Sequence, residues 1–387
     1  MGGRLKVKRI QLSNPHTLLP LNTEISATIE VNETKEKYSY AWYLYLNDNV
    51  IERKNYDVNN RTSVFKLREP GEYRLKGYVQ NSAGTKVSSY SERFKVYSQR
   101  KYVKEETKPK LPYKELQLNY SELKSVSLTE KNATIYSINK DNYKYEFLIK
   151  PKPKSNKNKL IVMASGAYDA QKGLLPNLQR HSWMDEIDGN VIYFNDPTLY
   201  LKKMNLGWGQ GTEDIFFLEN ISKMIEVFAH KMSVLNENIL FYGSSAGGFM
   251  SLVLGGYVKK SSVLINNPQT IVPNYYKSPV IQMYEASYEG FSNNEIEKRF
   301  KNRLDIRAFY SEINYVPNIY YLQNAACKND MSQHYLPFND FMYSNLEKQL
   351  DGNFISHLYW DEEAQHNPLD KQTTLDFINK VSNMWIE

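Results

Sequence analysis

Near residue 98 the hydrophobic period of this chain changes, and the change limits what each part can fold into. Before it, apolar and polar residues alternate; after it, continuous apolar runs alternate with amphipathic stretches. A repeat of two fits strands with one buried face, and a repeat near 3.6 fits helices. In the first part ISATIEV (25–31), YSYAWYLYL (38–46), TSVFKL (62–67) and ERFKVY (92–97) have period two. GEYRLKGYVQNSAGT (71–85) sets Tyr73, Leu75, Gly77 and Val79 on one face before a turn at Ser82-Ala83-Gly84. Short strands at this spacing predict an antiparallel β-sandwich over residues 1–98. Residues 99–115, charged, proline-bearing and poor in aliphatics, read as a linker.

Residues 116–387 predict an α/β domain. Strand candidates are 133–138, 143–149, 159–165, 190–195, 238–243, 261–266, 318–325 and 355–360. Several are unbroken apolar runs, as in a parallel sheet covered on both faces. Between them lie helical stretches at 212–232, with Thr212 as N-cap, and at 247–258; a third at 373–386 closes the chain.

Composition narrows the functional classes. The chain has 387 residues, 41% apolar and 24% charged, enough for two folded domains. No apolar run is long enough to span a bilayer, and the N-terminus has no secretory core. Cys327 is the single cysteine, so no internal disulfide or cysteine-rich zinc site is expected, and a reducing, cytoplasmic setting fits best. The net charge of +6 is too mild and too scattered to argue for nucleic acid. The one dense basic stretch, with Lys150, Lys152, Lys154, Lys157 and Lys159, reads as a solvated loop or as a landing strip for an anionic polymer or a phosphate. The 31 tyrosines suit both sandwich cores and sugar-binding surfaces.

YGSSAGG (242–248) places Gly243, Ser245 and Gly247 in the pattern G-x-S-x-G, after an apolar strand and before an apolar helix. A nucleophile on so tight a corner needs small neighbours two residues either side. The corner also aims the first N–H groups of the helix at an oxygen that turns negative during acyl transfer. A Gly-rich structural turn is the alternative, and Ser244 is off the centre of the glycines.

A serine nucleophile needs a base. His366 lies in a polar loop after the last strand, where the order Ser…Asp…His places it; His181 and His334 stay open. Asp330, in the loop after the strand ending near Ala325, is the matching carboxylate. Asp340 and Asp361 are less well placed, and each of the three could be a surface charge. The second oxyanion donor is expected after the strand LIVMAS, where Ala167 N–H would join Ala246 N–H; a plain turn is the other reading of that stretch.

The first part resembles the small immunoglobulin-like three-Y domains of bacterial enzymes and sensors, through its aromatic strand and the GEYRLKGYVQNSAG hairpin. That implies a spacer, docking or glycan-binding module, with structural support the favoured role. The second part looks like the α/β-hydrolase fold. Within it SGAYD, NDPTLYL…LGWGQG and YGSSAGG resemble the serine acyltransferases and esterases of bacterial surface-glycan pathways. These include the capsular polysaccharide O-acetyltransferases and the acetyltransferase of the accessory secretion system. The resemblance implies Ser245 as the acylated nucleophile with Asp330 and His366 as partners, and Ala167 and Ala246 as oxyanion donors. It places 206–211 near the site, although a Gly-rich loop bearing Trp208 reads equally as ordinary packing, and makes acetyl-CoA the acyl donor, with no bound cofactor or metal. Where those families carry His-Gly, this chain has Ser165-Gly166.

Three activities are therefore expected to compete. The first is an O-acetyltransferase on a bacterial polysaccharide, with other glycan-biosynthesis proteins docking on the N-terminal domain. The others are an ester hydrolase using the same residues and a non-catalytic assembly protein. The tyrosine-bearing segment from about 270 to 312 sits where a cap over the pocket would be inserted, the other reading being a solvated helical insertion.

Overall fold

The computed structural model describes residues 5–13, 18–20, 22–32, 37–69, 71–97, 111–129, 132–152, 158–169, 175–346 and 352–386. Most of the predicted linker, His16, Lys154 and Lys157 lie outside them. The chain divides into two units, Met1–Lys101 with Glu289–Phe291, and Tyr102–Tyr288 with Ser292–Glu387.

The first unit is all β. Its strands are β1 (Val7–Leu12), β2 (Leu18–Pro20), β3 (Glu24–Val31), β4 (Tyr38–Leu46), β5 (Asn49–Asp57), β6 (Thr62–Lys66), β7 (Gly71–Asn81), β8 (Lys86–Tyr90) and β9 (Phe94–Tyr97). One sheet runs β1-β3-β6; the other runs β2-β9-β7-β4-β5, with β8 also on β7. Alternation sends Ile25, Ala27, Ile29 and Phe65 from one sheet against Trp42, Leu44, Tyr73, Leu75 and Val79 from the other. Gly77 lets the layers close, since a Cβ there would lie 2.7 Å from Ile29 Cδ1. The pairing is antiparallel except between β2 and β9. Pro20, which cannot donate to a ladder, sits on that edge strand.

The second unit is built on a mixed nine-stranded sheet. Its strands are β10 (Lys114–Asn119), β11 (Thr134–Lys140), β12 (Tyr143–Lys150), β13 (Leu160–Ala164), β14 (Asn190–Phe194), β15 (Ile239–Ser244), β16 (Ser262–Asn266), β17 (Asn318–Asn324) and β18 (Phe354–Tyr359). They run in the order β10-β11-β12-β14-β13-β15-β16-β17-β18. β12 is antiparallel to both neighbours, and β14 through β18 are parallel. β10 begins inside the stretch read as linker, at the exposed Lys114 and Glu115, and its two half-buried leucines, Leu116 and Leu118, make too short an alternation to mark a strand.

The helices are α1 (Phe217–Lys231), α2 (Ala246–Tyr257), α3 (Lys277–Ser287), α4 (Asn293–Arg299), α5 (Lys301–Leu304), α6 (Ile306–Ile313), α7 (Lys328–Asp330), α8 (Leu336–Leu346) and α9 (Lys371–Trp385). A π-helical turn, Met331–Tyr335, joins α7 to α8. Leu375, Ile378 and Val381 of α9 cover one sheet face against Met163, Tyr242 and Leu264. Phe228 of α1 packs on the other, against Tyr136 and Phe147. Thr212 does not cap α1. Its hydroxyl accepts from Ile215 N–H at 3.2 Å in a separate turn, and the helix starts after Phe216.

Candidate active site

Ser245 stands between the last residue of β15 and the first of α2, at φ 56° and ψ −125°. A non-glycine residue at positive φ is strained and persists only where its surroundings hold it. Here the glycines do so. A Cβ on Gly243 would lie 2.2 Å from the Gly247 carbonyl oxygen, and one on Gly247 would lie 2.8 Å from the Ala164 carbonyl oxygen. The pattern G-x-S-x-G is thus a packing requirement of this corner.

Three predicted side chains meet at it. His366 Nε2 lies 2.9 Å from Ser245 Oγ, and His366 Nδ1 lies 2.6 Å from Asp330 Oδ2. A carboxylate only accepts, so Nδ1 carries the proton and Nε2 turns its lone pair to the hydroxyl. Asp330 is buried at the end of α7. The His366 loop is held by two buried asparagines at strand ends. Asn267 Nδ2 donates to the His366 and Asn367 carbonyls at 3.3 and 3.0 Å. Asn324 Nδ2 donates to the Asp361 and Gln365 carbonyls at 2.7 and 2.9 Å.

A fourth side chain, absent from the sequence reading, also reaches the serine. Gln269 Nε2 donates to Ser245 Oγ at 2.8 Å, and Gln269 Oε1 accepts from Trp208 Nε1 at 2.6 Å. Indole N–H only donates, so the amide orientation is fixed. Every donor then points the same way, from Trp208 through Gln269 and Ser245 to His366 and Asp330. This is how the loop 206–211 bears on the site. Trp208 and Gly209 both have positive φ, and buried Asp196 holds the loop by accepting from Gly209 N–H at 2.9 Å. Burial raises the Asp196 pKa, against the pull of its hydrogen bonds from Gly209 and Thr198. The polar run NNPQT directly after an apolar strand is the only sequence sign of Gln269.

On the other side of Ser245, a Cβ on Gly166 would lie 3.9 Å from Ser245 Cβ. Gly166 N–H donates to Gln179 Oε1 at 2.9 Å and Tyr168 N–H to the Asn205 carbonyl at 3.2 Å, which leaves Ala167 N–H between two engaged amides. Gln179 Nε2 donates to the Ala167 carbonyl at 2.6 Å, bracing the loop. Ala246 N–H, at the first helical position, has no intrahelical acceptor.

The alternatives lie elsewhere. Ser244 Oγ accepts from Arg180 at 2.8 Å. His181 bonds the Tyr113 hydroxyl at 2.8 Å. His334 is wholly buried near Asp330, and burial pulls its pKa down to about 4. Asp340 lies on α8, and Asp361 Oδ1 accepts from Glu363 and Ala364 N–H in its own turn. Tyr275, from the segment read as a cap, has its ring 6.1 Å from that of His366 and 5.9 Å from that of Trp208. Among the described residues no cluster of three or more His, Cys, Asp or Glu is arranged to hold a metal ion. None of their helices is long and apolar enough to cross a membrane.

No family model matches the chain, and no curated protein matches it. Solved structures similar to it include a mutant capsule O-acetyltransferase of Neisseria meningitidis serogroup A in complex with CoA, at 16% identity and a TM-score of 0.46, over 64% of this chain and 94% of that one. An S-formylglutathione hydrolase from Agrobacterium tumefaciens aligns at 12% identity and 0.46, over 68% and 98%. A glycosylation-associated protein (Gap123) complex from Streptococcus agalactiae aligns at 12% and 0.44, over 99% and 74%.

Proposed function

We propose that residues 116–387 form an α/β-hydrolase-fold serine acyltransferase. It would carry acetyl from acetyl-CoA, through acyl-Ser245, to a hydroxyl of a bacterial surface polysaccharide in a reducing, cytoplasmic setting. The observation that carries this reading is the Asp330–His366–Ser245 relay with its serine on a strained strand-to-helix corner. The chain order Ser…Asp…His supports it. The first unit is read as an immunoglobulin-like sandwich. Support comes from Tyr73 at the start of β7, whose hydroxyl donates back to the Glu69 carbonyl at 2.8 Å, as in the tyrosine corner of such domains.

In this mechanism the Ser245 hydroxyl gives its proton to His366 Nε2 while Oγ bonds the thioester carbonyl carbon. Asp330 stabilises the imidazolium. The N–H groups of Ala246 and Ala167 receive the oxyanion. Collapse breaks the carbon–sulfur bond, and the imidazolium proton passes to the departing sulfur. The acceptor hydroxyl next gives its proton to Nε2 and attacks the acyl carbon, and Oγ leaves with that proton. Gln269 N–H supports Oγ whenever it carries negative charge.

Ester hydrolysis is the second reading, favoured by one observation: the His366 side chain is 29% exposed, so water can reach the base. Incubation with acetyl-CoA, with and without capsular or cell-wall glycans, separates the two. Glycan-dependent CoA release that is lost in Ser245→Ala is the expected result. Glycan-independent hydrolysis of simple acetyl esters by the same serine would make the protein an esterase.

A further inference from the structure

The sheet β2-β9-β7-β4-β5 carries on its outer face a row that acyl transfer does not use. Strand pairing sets Arg53 opposite Tyr43, Tyr43 opposite Lys76, and Lys76 opposite Tyr90. Cations and phenols therefore alternate across β5, β4, β7 and β8. In the next row Tyr45 faces Arg74. The residues between them along the strands, Trp42, Leu44 and Leu75, fill the core, so this set points outward. Tyr90 is 42% exposed.

Each cation rests on a ring. Arg53 lies 5.1 Å from the centre of Tyr43, Arg74 4.4 Å from that of Tyr90, and Lys76 4.6 Å from Tyr90. Arg74 also pairs with Asp48 at 2.7 Å. Arg53 and Lys76 meet no carboxylate among the described residues. Cation–ring pairs stiffen a sheet by themselves, but a purely structural ladder needs no excess of one charge.

We infer that this face binds an acidic polysaccharide. Cations occupy the ring faces, which denies nucleobases the open platforms they stack on. What points outward is a set of phenol, ammonium and guanidinium donors, and these match carboxylates and sugar hydroxyls. Tyr43 and Tyr90 stand two strand spacings apart, about 9.6 Å, a separation comparable to a disaccharide.

The test titrates the full chain with polygalacturonate, hyaluronate, neutral dextran and an oligothymidylate. At least one polyuronate is expected to bind more tightly than dextran or oligothymidylate, and more weakly as salt is raised. The double variant Arg53→Ala/Lys76→Ala should weaken that binding roughly tenfold or more, having lost two charge-assisted contacts. Arg53→Lys/Lys76→Arg should keep it. Ser245→Ala should bind like the unaltered chain, which separates this result from that of acyl transfer. Binding of neither polyuronate, equal or tighter binding of dextran or oligothymidylate, or undiminished binding by the double alanine variant overturns the inference.

Discussion

Ser245 Oγ accepts a hydrogen bond from Gln269 while its own proton faces His366. Gln269 is wholly buried and cannot turn its amide round without losing Trp208. In the proposed mechanism Oγ is most negative as it attacks and as it leaves, and a fixed donor lowers both barriers. Hydrogen bonds to charged groups contribute about 1.5–3 kcal/mol. Gln269→Leu is therefore expected to lower kcat by roughly 10- to 100-fold with KM little changed, and Gln269→Glu, an acceptor only, should not restore it. Steady-state kinetics decide this. A rise in KM at constant kcat would instead make Gln269 a substrate-binding residue.

Among elements, the π-helical turn Met331–Tyr335 has the clearest consequence. It follows Asp330 directly and buries His334 with neither ring nitrogen bonded among the described residues. Desolvation lowers the His334 pKa to about 4, with Asp330 opposing and His366 adding to the shift. An unfolded histidine titrates near 6.5, so below that pH the unfolded chain takes up a proton that the folded chain refuses. Stability is full above about pH 6.5 and is lost as pH falls toward 4. The loss at pH 5 is about 2 kcal/mol. Urea midpoints at pH 8 and pH 5 should fall by less in His334→Phe than in the unaltered chain; an equal fall would remove His334 as the cause.

Elements also differ in how far the sequence reveals them. β13, β15 and β16 are legible because a strand buried on both faces is an almost unbroken apolar run, with polar residues only at its ends. The corner is legible because its geometry admits almost no side chain but the serine. β10 opens on Lys114 and Glu115, which read as linker, and offers only the half-buried Leu116 and Leu118 as apolar residues. Gln269, Asn267 and Asn324 were not legible as site residues. A buried amide is recognised by its partners, and Trp208 lies 61 positions from Gln269. α1 starts later than the sequence pattern predicts because Thr212 satisfies its own turn.

Across the whole molecule, Ser245, Gln269, Asp330 and His366 each follow the end of a different parallel strand. His366 is 121 positions from the serine and 36 from the aspartate. Open α/β sheets place their sites at that carboxyl edge, so the relay exists only in the folded second unit. Ser245 is proposed as an activated nucleophile, and labelling of the native protein with a fluorophosphonate, followed by intact mass and peptide mapping, tests that role. One adduct on Ser245 is expected, lost on unfolding in urea and slowed at least about 100-fold in His366→Ala, the order expected for loss of a general base. An adduct on Ser244 or elsewhere, or none on a folded protein, would exclude Ser245 as the activated nucleophile.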